Sequence, residues 1–356
     1  MLIVPTGIGA AVGGYAGDAL PVAKAVAQIS DHLITHPNVL NGAQLYWPMD
    51  NVLYVEGYGL DRFAAGIWGL QPVRQNRVGL LLDAAIETDL RLRHLQAADA
   101  TRATLGLTLT DYVVTDAPLG VTLKTSASGA TWGTIERPDS LLRGVEALVD
   151  TAGAEAIAVV ARFPDDEGSD SLQAYRQGYG VDPLAGAEAV ISHLVVEHFG
   201  LPCAHAPALE PLPPEPSISP RAAAEELGYT FLPCVLVGLS RAPQFVSKPQ
   251  STVGTMLGTS TLWANDVDAV IVPASACGGS ATLSLGDRQT TIIAVQENST
   301  RMVVSPAAVG LPAISVESYL EALGVLVALK AGLQPMSLRP HIAPLRQLQR
   351  HEPDPL

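Results

Sequence analysis

The chain has 356 residues, 48% of them hydrophobic and 16% charged, with 35 acidic against 21 basic side chains and a formal net charge of −14. This length excludes a peptide or a disulfide scaffold and leaves room for a large core. The apolar bias suits strands buried on both faces of a mostly parallel sheet, and the negative charge argues against nucleic acid and anionic membrane as partners.

Cys203, Cys234 and Cys277 are scattered and odd in number, which supports neither a disulfide framework nor a structural zinc site and points to a reducing, cytoplasmic setting. No apolar run approaches the roughly 18 residues of a membrane helix, and the first residues lack the pattern of a signal peptide. The expected localisation is therefore the cytoplasm.

In chain order, Leu2 to Thr6 reads as a short buried strand, then Thr6 to Gly17 as a glycine-rich loop, and Asp18 to Ile34 as a helix. Further strands are expected at Val52 to Glu56, Val78 to Asp83, Tyr112 to Asp116, Ala156 to Phe163, Cys203 to Ala206, Phe231 to Gly238, Ala269 to Pro273, Ile292 to Glu297 and Ala313 to Val316. Helical segments lie between many of them. Glu87 to Gly106 reads as a surface helix and Pro183 to Phe199 as a helix. Glu317 to Gly332 is apolar nearly all round and is expected to be buried or to meet a second copy in a homo-oligomer.

Asp182-Pro183 and Ser219-Pro220 have the form of an N-cap followed by proline, while Gly153, Gly200 and Gly332 stand where C-caps belong. The alternation predicts an α/β fold with mostly parallel sheets, helices on both faces and Rossmann-like βαβ units. The expected division is an N-terminal lobe over 1–150, a C-terminal lobe over 151–335 and a flexible polar tail over 336–356. The Pro-rich run Glu210 to Pro216 reads as a surface connection, and Gln250 to Ser260 as a loop able to act as a lid.

In open parallel sheets ligands bind beyond the carboxyl ends of the strands, so residues directly after each strand are the candidates. The first such segment has the pattern G-x-G-x-x-x-G-G. Thr6, Gly7, Gly9, Gly13 and Gly14 let backbone amides approach an anion, with a tight turn as the alternative; Val12 stands where the dinucleotide fingerprint needs glycine, and the P-loop lysine is absent. His36, with Asn38 and Asn41, forms a polar turn with an imidazole suited to acid/base work or ligation. Glu56, Asp116, His205 and Glu297 follow other strands and are further acid/base candidates, with Asn298 beside Glu297.

Cys277 lies in Ser275-Ala276-Cys277-Gly278-Gly279-Ser280, where free amides and a helix start would lower a thiol's pKa. Ser275, Gly278, Gly279 and Ser280 could equally bind an anion through the backbone. Ser128, in a Ser/Thr/Gly run after Lys124, and Arg241 are further anion contacts. No spacing motif requires a cofactor, although a divalent metal at His36 with Glu56 or His205 is compatible with the residue types. His193 and His198, five apart, do not have the spacing of a helical metal pair.

Several segments together, Val4-Pro5-Thr6-Gly7-Ile8-Gly9, Gly13 to Ala19, His36-Pro37-Asn38-Val39, Leu53 to Gly57, Asp182 to Ala189 with Ser192, Ala204 to Pro207, Val295 to Thr300 and Tyr319 to Ala322, resemble the family known as domain of unknown function 3326, well represented in cyanobacteria. The resemblance runs to about Gly332, which implies one functional unit, and it brings no catalytic residues with it.

The residues point to a cytosolic enzyme, a transferase, lyase or isomerase, that binds a small phosphorylated or carboxylated metabolite at the rim between the glycine loop and the Ser275 to Ser280 loop. A non-catalytic metabolite sensor or assembly protein is the alternative, and a thiol-dependent transferase or hydrolase using Cys277 a second.

Overall fold

The computed structural model describes residues 1–40, 47–165, 169–226, 232–247, 261–342 and 344–345. Among these residues it is a mixed α/β protein with mostly parallel sheets. The strands are β1 Leu33–Thr35, β2 Val52–Tyr54, β3 Trp68–Gln71, β4 Val78–Leu82, β5 Leu109–Val114, β6 Val121–Thr125, β7 Thr131–Ile135, β8 Ala156–Arg162, β9 Cys203–Ala208, β10 Gln244–Ser247, β11 Ala269–Pro273, β12 Thr291–Val295 and β13 Ala313–Val316. The helices are α1 Leu20–Ile29, α2 Pro37–Leu40, α3 Gly57–Ala64, α4 Thr88–Leu105, α5 Pro138–Ala152, α6 Asp170–Arg176, α7 Ala185–Phe199, α8 Pro220–Ala224, α9 Leu232–Ser240, α10 Ser280–Gly286 and α11 Tyr319–Lys330.

The parallel pair β1–β2 and the parallel set β11–β12–β13 are joined by the first residues of the chain. Leu2 N–H donates to Ile34 O at 3.1 Å, Ile3 N–H to Ile271 O at 3.0 Å, and Ile271 N–H to Met1 O at 2.9 Å. The predicted strand Leu2 to Thr6 is thus the seam of a composite sheet, but its ladder is short. Val4 N–H turns to a side chain, the Nε2 of His36 at 3.1 Å, and Pro5 has no N–H to give.

The second sheet, in the order β5-β4-β8-β9, is parallel throughout. Its central strands β4 and β8 are buried almost end to end, as expected where helices cover both faces. It pairs strands from either side of residue 150. One apolar cluster fills the space between the two sheets, with Leu2, Val4, Ile271 and Ile293 on one side and Val78, Leu80, Ala158 and Val160 on the other. The helices α3 and α10 pack on the outer face of the first sheet, and α5 and α7 on that of the second.

Several segments differ from the sequence reading. Leu232–Ser240, read as part of a strand, is the helix α9, because a short apolar run with no polar alternation has no readable period; Phe231 lies outside the described residues. The helix expected to reach Ile34 ends at Ile29, and the apolar Leu33–Thr35 pairs as β1. The Ser/Thr/Gly run is the antiparallel hairpin β6–β7 rather than a ligand loop, turning at Ser126 to Gly129, where Gly129 has φ +85°.

The α11 helix buries one face only, leaving Leu320 80% and Val327 53% exposed. Gln250 to Ser260 and the end of the tail, with Arg346 and Arg350, lie outside the described residues. Among the described residues no helix is long and apolar enough to cross a membrane.

The start of α7 lies backbone to backbone on β7. A Cβ at Gly186 would stand 2.3 Å from Thr131 O, and one at Gly133 2.3 Å from Ala187 Cβ. Helix propensity alone favours Gly186→Ala by about 1 kcal/mol, whereas overpacking a tight contact costs about 1–3 kcal/mol. Urea unfolding is expected to show a net loss of stability for Gly186→Ala. The control Gly324→Ala, inside α11 where a Cβ meets nothing within 4 Å, should lose no stability; an unchanged midpoint for Gly186→Ala would contradict this packing.

Candidate functional site

The strand ends of the first sheet open into a cavity of about 1310 Å³. Pro5 and Thr6, then His36 after β1 and Glu56 after β2, form one wall; α7 with Glu188, Ser192 and His193, and β9 with His205, form the facing one. Residues of α4, the Pro-rich stretch Leu209 to Glu215, and Tyr175 with Glu225 complete the lining.

Glu56 is the N-cap of α3 and is buried; its Oε2 accepts the Tyr58 amide at 2.8 Å. Its Oε1 meets Nδ1 of His193, brought across by the packing of α3 on α7. Burial works against charge on His193, but the hydrogen bond and charge of Glu56 outweigh it, so the imidazole pKa is raised above 6.5. One turn along α3, Asp61 turns its carboxylate to the Ala281 amide and the Ser280 hydroxyl at the start of α10, and burial raises its pKa.

A second imidazole group faces the same space. Ser192 Oγ lies 2.5 Å from His205 Nδ1, and His205 Nε2 lies 3.5 Å from Glu188 Oε2. Glu188 and Ser192 stand one helical turn apart on α7, so both reach the same strand residue. His36, 7% exposed, accepts the Val4 amide at Nε2, and burial pushes its pKa down to about 4. Protonating Nε2 would also remove that bond.

The glycine loop is closed from within. Gly7, Gly9, Gly13 and Gly17 all have positive φ, which explains why this turn needs glycine. Five of its amides, however, are taken by the protein's own acceptors: Ala11 N–H by Ser299 O at 2.9 Å, Val12 N–H by Asn298 Oδ1 at 2.9 Å, Gly13 N–H by Asp18 Oδ1 at 2.5 Å, Ala16 N–H by Glu225 Oε2 at 2.8 Å and Gly17 N–H by Asn38 O at 2.7 Å. Asn38 returns a bond to Gly13 O at 2.8 Å. The Tyr175 hydroxyl donates to Glu225 Oε2 at 2.8 Å and to Gly14 O at 3.3 Å, and its ring stacks on Tyr15 at 4.4 Å.

Burial pushes Asp18 up to about 6 and Glu225 to about 7. Asp182 rises too, through burial and then the nearby Glu225 and Glu188 carboxylates. Asp182 Oδ1 accepts the Leu184 amide at 2.8 Å, although α7 starts two residues later than the Asp-Pro pattern suggests.

Of the candidates read from the sequence, Thr6, His36, Asn38, Glu56, His205, Gly279 and Ser280 line the cavity. The others lie elsewhere or are engaged. Asp116 is outside the lining, bound by both Arg143 Nε at 2.7 Å and Nη2 at 3.0 Å and by Ser140, and the guanidinium holds its pKa at about 2. Cys277 is fully buried with Sγ near Pro273 O and Ala274 O, and burial raises its pKa, the reverse of what a reactive thiolate needs.

Glu297 Oε1 accepts the Tyr319 amide at 2.7 Å, and Asn298 is buried between Val12 and the Tyr319 hydroxyl. Ser275 pairs with the Thr300 hydroxyl, Arg241 with Asp50 at the surface, Ser128 with Ser126 in the hairpin turn, and Gly278 packs beside Val304. Asn41 lies outside the described residues. Asp61, Glu188 and Ser192 were not among the candidates read from the sequence, and His193 was considered there and set aside because its spacing to His198 does not suit a helical metal pair. The one available signal was the four-residue spacing of Glu188 and Ser192. Among the described residues no group of three or more His, Cys, Asp or Glu is arranged to hold a metal ion.

The parallel strand ends of this α/β protein thus open into a cavity lined by two imidazole–carboxylate pairs. The chain belongs to the family described as protein of unknown function (DUF3326), whose match covers residues 1–339. It is 62% identical over 340 residues to a protein of the cyanobacterium Synechococcus sp. named as an uncharacterized lipoprotein, covering 96% of this chain and 93% of that relative. No solved structure matches the chain.

A histidine whose pKa is raised in the folded state adds stability below its ordinary value and loses it as pH rises through the folded one. In NMR titrations His193 is therefore expected to titrate above 6.5 in the intact protein and below it in Glu56→Gln, where burial acts alone. A midpoint unmoved by that substitution would contradict the pairing.

Proposed function

We propose that this protein is an enzyme that moves protons on a small organic ligand held in the cavity at the strand ends, with His193 and Glu56 as one acid/base pair and His205 with Glu188 and Ser192 as the other. The observation that carries this reading is that both imidazoles line the same cavity, His193 in contact with Glu56, and His205 hydrogen-bonded to Ser192 with Glu188 3.5 Å away. A lyase or isomerase step is the chemistry such groups serve.

The ligand in this proposal is neutral or cationic. The sequence suggested an anion held by the glycine loop, but five of that loop's amides already bind internal acceptors. Eight carboxylic side chains and one arginine line the cavity, so its field favours positive or uncharged molecules over phosphates.

The reading is tested without knowledge of the substrate by incubating the protein with a metabolite extract in D2O and searching by mass spectrometry for deuterium gain or conversion. Proton transfer by one positioned side chain contributes about 10²–10⁴-fold, so His193→Gln and His205→Gln should each slow the activity by about that factor. Retention of an extract component with neither exchange nor conversion would replace the enzyme by a sensor.

A further inference from the structure

His36 stands at the end of β1, between the seam formed by the first residues and β2, in register with the strand that leads into Glu56. The Val4 N–H donates to its Nε2 at 3.1 Å. A backbone amide only donates, so Nε2 must carry a lone pair there, and a neutral imidazole must then carry its proton on Nδ1. The tautomer is fixed by the end of a β-ladder.

The rest of the ring's surroundings bear on what Nδ1–H does. His36 is 7% exposed and lines the cavity. Among the described residues Nε2 is the ring nitrogen for which a hydrogen bond is seen, and the space that His36 borders is the cavity.

We infer that His36 is a fixed, uncharged hydrogen-bond donor whose Nδ1–H holds the oxygen of a carbonyl-bearing ligand. This rests on the proton-transfer reading of the same cavity and names its substrate class, a neutral carbonyl compound. The low pKa of the ring keeps it uncharged throughout the physiological range. The Val4 amide, which occupies the Nε2 lone pair, removes His36 from the roles of general base and metal ligand at that atom.

The step it serves balances as follows. His193, with Nδ1 turned to Glu56, takes a proton at Nε2 from the carbon next to the carbonyl. The C–H bonding pair becomes the new C=C bond, the carbonyl π pair moves to oxygen, and His36 Nδ1–H stabilises the oxyanion that develops. A neutral donor suits this role, since preorganised dipoles stabilise charge where it appears. The proton on His193 then returns to another position of the same ligand in an isomerisation.

The test uses the full-length protein labelled with ¹⁵N in histidine. His36 is assigned through a His36→Asn variant or, where that fails to fold, through correlation to its own backbone. Two-bond ¹H–¹⁵N spectra should show the Nδ1–H tautomer at neutral pH with no titration at the ordinary 6.5. Added cyclohexanone should then move the Nδ1–H proton downfield, and cyclohexanol, matched in shape, should leave it in place.

An Nε2–H tautomer, or an ordinary titration, overturns the inference and leaves the acid/base reading of His193 and His205 standing. Cyclohexanone that shifts His193 but not His36 does the same. A ketone that moves neither imidazole counts against both.

Discussion

Everything in this structure hangs on how the first five residues end their run through the sheet. Met1 to Ile3 hydrogen-bond to β1 on one side and β11 on the other, making one composite sheet from two pieces distant in sequence. The ladder then stops because Val4 gives its amide to His36 and Pro5 has none. Where the backbone pairing stops, a side chain takes over, and the chain leaves the sheet into the glycine loop. The edge at which the cavity opens, the tautomer of His36 and the position of the loop all follow from this hand-off.

The second organising constraint is electrostatic. A chain with net charge −14 places carboxylic acids in and around its main cavity, and removing them from water would be prohibitive if all stayed ionised. The structure satisfies them in two ways. Some receive backbone amides from the glycine loop, as Asp18 and Glu225 do, and burial raises their pKa values to about 6 and about 7. Others take a basic partner, as Glu56 takes His193 and Glu226 takes the buried Arg176 at 2.7 Å. A loop whose pattern suits an external anion here gives two of its amides to the protein's own carboxylates and three to amide and backbone oxygens.

The long parallel strands were legible in the sequence because doubly buried strands leave uninterrupted apolar runs; β4, β8, β11 and β12 are of this kind. The same property hid α9, an apolar run of similar appearance, and β1 was too short to interrupt the helical pattern before it. For the site, His36 and Glu56 could be found by position because each follows a strand, whereas His205, read as a strand end, lies inside β9, which runs on to Ala208. His193, Ser192 and Glu188 could not, since their roles depend on which face of α7 meets α3 and β9, a fact of tertiary packing. Cys277 and Asp116 also occupy strand-end positions, but burial of the thiol and the Arg143 clamp on the carboxylate are not visible in local sequence.

The central claim is that the ligand sits in the strand-end cavity rather than on the glycine loop. A crystal structure with an extract-derived ligand bound tests it most directly. The account predicts ligand density within hydrogen-bond distance, about 3 Å, of His36 Nδ1 and His193 Nε2, with the loop amides still held by Asp18, Glu225 and Asn298. Density on the amides of Val12, Gly13 and Ala16, with those three side chains displaced and the cavity without ligand, would contradict it.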